Sequence, residues 1–106
     1  MDIEDWREKI DAVDTQILEL INKRSEFSIK IGEIKTDKGI PIHSPEREKT
    51  IMKRMQKANP GPLRDDGVLR IFERIIDESR KLEKDIAIDQ ISNRLHKIRH
   101  PKQIKR

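Results

Sequence analysis

Arg24 and Lys35 interrupt a run of apolar residues instead of flanking it. Trp6, Ile10, Val13, Ile17, Leu20, Ile21, Phe27, Ile31 and Ile34 recur at steps of three and four, the spacing of one helical face. Each helical position advances by about 100°; with Ile10 as zero, Ile17 lies at about 340°, Ile21 at about 20° and Ile31 at about 300°. Arg24 then falls at about 320° and Lys35 at about 340°, in the middle of the stripe, with Arg7 on its edge at about 60°. Further on, Arg47 and Glu48 flank the direction of Ile51, and Ser79 and Glu83 project between Phe72, Ile76 and Ile86. Charges facing a core are costly unless paired or used. Singly, each has a structural explanation: long cations snorkel from the edge of an apolar face, and Arg24 with Glu83 would make an ion pair. Together they leave a surplus of cations: Arg7, Arg24, Lys35 and Arg47 against Glu48 and Glu83. Such a pocket suits a small dianion, because guanidinium groups bind carboxylates bidentately.

Distance sorts these cations. Arg24 and Lys35 are eleven residues apart, ~16 Å along a helix axis, and both side chains are long enough to converge on one ligand. Arg7 precedes Arg24 by seventeen residues, ~25 Å, and does not easily reach the same small molecule. In an antiparallel dimer, Arg7 of one subunit would enter the pocket of the other.

The elements that must position these residues are helices. No proline precedes Pro41, and the apolar spacing predicts one helix over residues 3–37, on the order of 50 Å long. Asp37-Lys38-Gly39-Ile40-Pro41 breaks it. Ser44-Pro45-Glu46 predicts a second start, with Ser44 as N-cap and Pro45 at the first helical position. That helix carries Ile51, Met52 and Met55 and stops near Asn59-Pro60-Gly61-Pro62. Asp65 or Asp66 is positioned to cap a third helix with Leu69, Phe72, Ile75, Ile76, Leu82 and Ile86 on its apolar face. It can continue through Ile91 and Leu95 toward Pro101. There is no internal repeat and no strand-like alternation. The expected fold is all-α: three helices, the first of them long. A chain this size has an expected radius of gyration of about 13 Å, too small to cover a ~50 Å stripe. An intertwined homodimer with paired long helices is the simplest solution.

Composition narrows the class. The 106 residues allow one domain. Charged residues make up 42% and aromatics 3%; that balance fits disorder or long amphipathic helices, and the periodicity selects helices. With no cysteine, neither a disulfide framework nor a thiolate metal site can form. No apolar run approaches the roughly 18 residues of a membrane span. The acidic Met-Asp-Ile-Glu-Asp start is not followed by an apolar run of signal-peptide length. A soluble, cytoplasmic protein is expected. The net charge of +4 is uneven: residues 84–106 hold seven Lys/Arg and two Asp, or +5, and residues 1–83 hold 17 Lys/Arg and 18 Asp/Glu, or −1. A nearly neutral body weakens a nucleic-acid reading of the whole chain. His43, His96 and His100 make no metal set, since two lie in the tail and no acidic cluster joins them.

The ordered set of pieces resembles a known family. Trp6-Arg7-Glu8-Lys9-Ile10-Asp11-Ala12-Val13-Asp14, Ile17 through Arg24, and Ile31-Gly32-Glu33-Ile34-Lys35 resemble the first helix of the all-helical (AroQ-type) chorismate mutases. Gly39-Ile40-Pro41-Ile42 with Pro45-Glu46-Arg47-Glu48 resembles that family's loop and second-helix start, and Ile75-Ile76-Asp77-Glu78-Ser79 its third helix. The likeness covers roughly residues 3–86. It implies an intertwined homodimer that rearranges chorismate to prephenate, a step toward phenylalanine and tyrosine, without a cofactor. By the same resemblance, Arg24 and the partner subunit's Arg7 grip the two carboxylates. Lys35 donates to a carboxylate and to the ether oxygen, Arg47 supports the site near the ring hydroxyl, and Glu48 accepts from that hydroxyl. Ser79 contacts a carboxylate, and Ile31, Ile51 and Ile76 form apolar walls.

Two positions bear on the carry-over. Glu83 stands where some members carry Gln and others Glu. Only a protonated carboxyl can donate to an ether oxygen, so Glu83 must be neutral for full activity; nearby cations oppose that and burial favours it. Ser44 stands where Asp is frequent, which removes any ligand contact of that Asp. The expected division is a mutase domain over 1–86 and a basic helical extension or tail over 87–106. The tail carries Arg94, His96, Lys97, Arg99, His100, Lys102, Lys105 and Arg106. It reads as a solvated helix end, or as a docking segment for an acidic partner or nucleic acid. Isochorismate-pyruvate lyase, on the same fold with a similar cationic pocket, remains an alternative; Arg47-Glu48 and the Gly39–Ser44 loop favour the mutase. A non-catalytic helical binding module that uses the tail is the other.

Overall fold

The computed structural model describes residues 1–99, which form three helices. Helix α1 spans Ile3–Lys38. Asp2 and Asp5 close a reciprocal capping box, Asp5 N donating to Asp2 Oδ1 at 3.0 Å and Asp2 N to Asp5 Oδ2 at 2.9 Å, which satisfies amides left over at a helix start. Gly39 ends the helix in the left-handed region at φ 68°, where a side chain would be strained, and Ile40 N closes the turn on Lys35 O at 2.8 Å. The break expected at residues 37–41 is therefore a glycine-terminated helix end.

Helix α2 spans Pro45–Ala58. Its start corrects one expectation. Ser44 precedes it, yet the Ser44 hydroxyl makes no capping bond. Caps ordinarily sit in the extended region with the side chain turned onto the first free amides; Ser44 lies at ψ 84° and lines the cavity described below. Its carbonyl still accepts from Glu48 N at 3.1 Å, and Pro45 at the first turn needs no amide partner.

Helix α3 spans Asp65–Arg99. Neither Asp65 nor Asp66 is its cap. Asp65 is already helical, the first turn closes from Val68 N to Arg64 O at 3.0 Å, and Asp65 Oδ1 accepts from Asn59 Nδ2 at 2.7 Å. Asn59 also accepts from Gly61 N at 3.0 Å and donates to Leu63 O at 2.9 Å, an Asx-type turn that folds the α2–α3 connection. Helix α3 passes Ile86, Ile91 and Leu95 without a break. The expectations on His100, Pro101, Lys102, Lys105 and Arg106 lie outside the described residues.

Helix α3 packs against both α1 and α2. It runs parallel to α1, because Arg24 meets Ser79, Gly32 meets Glu83 and Asp37 pairs with Arg94 in ascending order. It runs antiparallel to α2. Among the described residues only Ile51 and Ile76 are buried apolar side chains. The chain measures 71 × 33 × 14 Å with a radius of gyration of 19.7 Å, against about 13 Å for a compact domain of this length. The apolar stripe of α1 is uncovered, from Trp6 at 54% exposure through Ile10, Val13, Ile17 and Leu20. No helix among the described residues is long and apolar enough to cross a membrane.

Candidate active site

The polar residues of the three helices converge on a cavity of about 470 Å³. Helix α1 contributes Arg24, Phe27, Ser28, Ile31 and Lys35; the connection contributes Ile42 and Ser44; α2 contributes Arg47, Glu48 and Ile51; α3 contributes Ile76, Arg80 and Glu83. Helices α1 and α2 do not pack directly on one another, so the cavity lies between them on α3. Of the residues expected from sequence, Arg24, Lys35, Arg47, Glu48, Glu83, Ile31, Ile51 and Ile76 are thus brought together.

Arg24 lies at the α1–α3 contact, where its Nη1 donates to Ser79 Oγ. Ser79 does not itself line the cavity; it holds the guanidinium from behind. Burial lowers the Arg24 pKa from its ordinary value, with Arg47 and Arg54 pushing the same way and Glu83 opposing them. Guanidinium groups stay protonated in proteins, so the lowered value marks a desolvated cation facing another cation. Among the described residues Arg47 makes no ion pair. Two neighbouring cations, one of them without an ion-pair partner among the described residues, suit an anion.

Lys35 is committed differently. Its Nζ donates to Ile42 O at 2.9 Å and to Glu83 Oε1 at 3.3 Å, with side-chain exposures of 18% for Lys35 and 12% for Glu83. The first bond ties the loop after α1 back onto its last turns. The second crosses from α1 to α3. The ion pair considered for Arg24 is therefore made by Lys35. Glu83 sits where the helices approach closely: a Cβ on Gly32 would lie 3.2 Å from Glu83 Cα and 3.3 Å from its Cβ and Cγ.

Glu48 accepts from Arg80 on both oxygens, from Nε and Nη2 at 3.2 Å each, and His43 Nε2 stands 3.6 Å from Glu48 Oε2. The hydrogen bond that Arg80 donates to Glu48 raises the Arg80 pKa above its ordinary value, against a smaller opposing effect of burial, with Asp77 adding to the rise. Besides Ser79, which touches the site only through Arg24, Arg7 is the expected residue that the chain does not bring to the cavity. It is exposed on the first turns of α1, with Nη1 2.7 Å from Glu4 Oε1.

Arg80, Ser28, Gly32 and the Ile42 carbonyl were not singled out from sequence as site residues. Ser28 follows Arg24 by one turn and carries no charge to betray it. Arg80 follows Ile76 by four residues, so it shares that helix face, and this spacing could have found it. Gly32 inside a long helix is a packing signal. Nothing in the sequence reports the direction of the Ile42 carbonyl.

The description "Chorismate mutase type II" belongs to the family model that matches residues 6–84. The chain is 39% identical over 79 residues to the chorismate mutase of Methanocaldococcus jannaschii, covering 74% of this chain and 80% of that protein. It is 37% identical over 82 residues to the bifunctional chorismate mutase/prephenate dehydratase of Neisseria gonorrhoeae, covering 77% of this chain but only 22% of that protein. Among solved structures, it superposes on the chorismate mutase from Helicobacter pylori in complex with prephenate with a TM-score of 0.73 and 31% identity, covering 79% of this chain and 91% of that one. The chain spans about a quarter or less of the bifunctional relatives it matches. The match over 6–84 takes in nearly all of α1, the whole of α2, the first twenty residues of α3 and every charged residue of the cavity, and the chain belongs to the chorismate mutase type II family.

Proposed function

We propose that the chain is a cytoplasmic, cofactor-independent chorismate mutase that rearranges chorismate to prephenate, and that it works as a homodimer. The carrying observation is the cavity itself, which Arg24, Lys35 and Arg47 line together, with Arg47 near enough to lower the Arg24 pKa. Chorismate is a dianion with an ether oxygen and a ring hydroxyl, and each polar group finds a counterpart. Arg24, steadied by Ser79, and the partner subunit's Arg7 take the two carboxylates. Lys35 donates to a carboxylate and to the ether oxygen, and Arg47 supports the ring-hydroxyl end. Glu48 accepts from the hydroxyl, and Ile31, Ile51 and Ile76 hold the carbon frame.

The reaction moves no proton and no electron pair off the substrate: the ether C–O bond breaks as a C–C bond forms within one molecule. Catalysis is then a matter of holding the compact conformer and meeting the charge that grows on the ether oxygen. A preorganised cation at that oxygen is worth most where water is excluded, and Lys35 is largely buried. Glu83 must give up its charge to donate to the same oxygen.

The exposed stripe from Trp6 to Leu20 supports the dimer, since burying each large apolar side chain contributes about 1.5–3 kcal/mol. Arg7 lies on the same helix, and an antiparallel partner helix carries it to the level of the cavity. Residues 1–86 are the proposed mutase unit, with 87–106 a basic extension outside it. The test is to mix the purified chain with chorismate, follow the loss of its absorbance and identify the product. Prephenate supports the proposal. No loss of chorismate, or turnover only of isochorismate with release of pyruvate, overturns it.

A further inference from the structure

Arg80 takes no part in the roles set out above, yet it holds Glu48, one of the cavity's two acids, through two hydrogen bonds. Its Nε lies 3.2 Å from Glu48 Oε2 and its Nη2 3.2 Å from Glu48 Oε1. A side-on fork of this kind fixes both the position and the plane of a carboxylate, which a single ammonium does not. Asp77, one turn earlier on α3, fixes the fork in turn by accepting from Nη2 at 3.1 Å. Without Arg80, Glu48 would keep only His43 at 3.6 Å, beyond hydrogen-bond length. Each carboxylate oxygen has two lone-pair sites, so the fork leaves one on each for a donor in the cavity that both residues line.

We propose that Arg80 is a positioning residue, which sets the Glu48 carboxylate to receive the ring hydroxyl of the bound substrate. This rests on the reading of the cavity as a chorismate site. A staple between α2 and α3 is the competing role, and a further cation for the substrate's carboxylates is another. The three differ in what they do to a substrate that lacks the hydroxyl.

The test compares the unmodified chain, Arg80→Met, Arg80→Lys, Glu48→Gln and the double variant Arg80→Met/Glu48→Gln, all assayed on chorismate well below their melting temperatures. Inhibition by a deoxy analogue, with the ring hydroxyl replaced by hydrogen, is measured alongside. A hydrogen bond to a charged group sets the scale: Arg80→Met and Glu48→Gln each lower kcat/KM on the order of 10- to 100-fold. The double variant falls no further than roughly threefold below the worse single variant. Arg80→Lys recovers part of the loss, and it is read in the same way should Arg80→Met fail to fold. Affinity for the deoxy analogue stays within roughly threefold across the series. Losses that multiply in the double variant overturn the inference. So does a deoxy analogue that weakens as much as chorismate, or an Arg80→Met variant with full activity. No turnover by the unmodified chain overturns the reading beneath it; turnover with multiplying losses overturns the inference alone.

Discussion

Lys35 on α1 reaches across to Glu83 on α3, Nζ to Oε1 at 3.3 Å, while the same Nζ holds the Ile42 carbonyl at 2.9 Å. One ammonium therefore links both helices and the loop that closes the cavity. The pair also bears on catalysis, because only a neutral acid donates to an ether oxygen. The expected outcome is a kcat for the unmodified chain that falls from acidic to neutral pH. Glu83→Gln, whose amide donates at any pH, gives a profile without that fall. A flat profile for the unmodified chain across this range contradicts the role given to Glu83.

Gly32 permits the approach that brings Glu83 under Lys35. An added Cβ would press on the Glu83 backbone at 3.2 Å, and a backbone atom yields only if the helices part. Gly32→Ala gains about 1 kcal/mol of helix propensity and loses about 1–3 kcal/mol to overpacking. The melting temperature is thus expected to change little or to fall modestly. Turnover is expected to fall on the order of tenfold, since small displacements of reacting groups are costly. Thermal melting and chorismate turnover on the same sample check this; full activity contradicts the close α1–α3 contact.

The extension of α3 is tied to α1 by the Arg94–Asp37 pair, which is exposed at both ends. Exposed pairs of this kind contribute about 0–1 kcal/mol. Deleting residues 90–106 is expected to keep chorismate turnover within roughly threefold while lowering the melting temperature slightly. A complete loss of activity in a folded truncation favours a function carried by the basic tail.

What the sequence made legible, and what it hid, follow from the same physics. The three- and four-residue spacing reveals the long first helix, because a face that repels water must repeat with the helix. Arg24 and Lys35 stand out because a charge in that face needs a reason. Arg80 hid because its partner Glu48 is thirty-two residues away on another helix, and no local pattern records that meeting. The Ser44 cap failed because residue type allows a cap without fixing ψ; the connection from Gly39 to Pro45 turns this residue toward the cavity instead. Asp65 was misread because Asn59 competes for its carboxylate. The Ile42 carbonyl belongs to the backbone, and side-chain chemistry says nothing of where it points.

Arg24 and Arg7 divide the site between two chains, and mixing two crippled variants tests this most directly. Arg24→Ala and Arg7→Ala homodimers are each expected to lose on the order of 10²-fold or more in kcat/KM on chorismate. Unfolded together, mixed in equal amounts and refolded, they form hybrid dimers. Each hybrid has one site with neither variant, because Arg24 of one chain meets Arg7 of the other. Random pairing makes half of the dimers hybrid, so the mixture should regain about a quarter of the unmodified activity. A mixture no more active than the two homodimers contradicts a site shared between partner chains, and with it the central reading of the cavity.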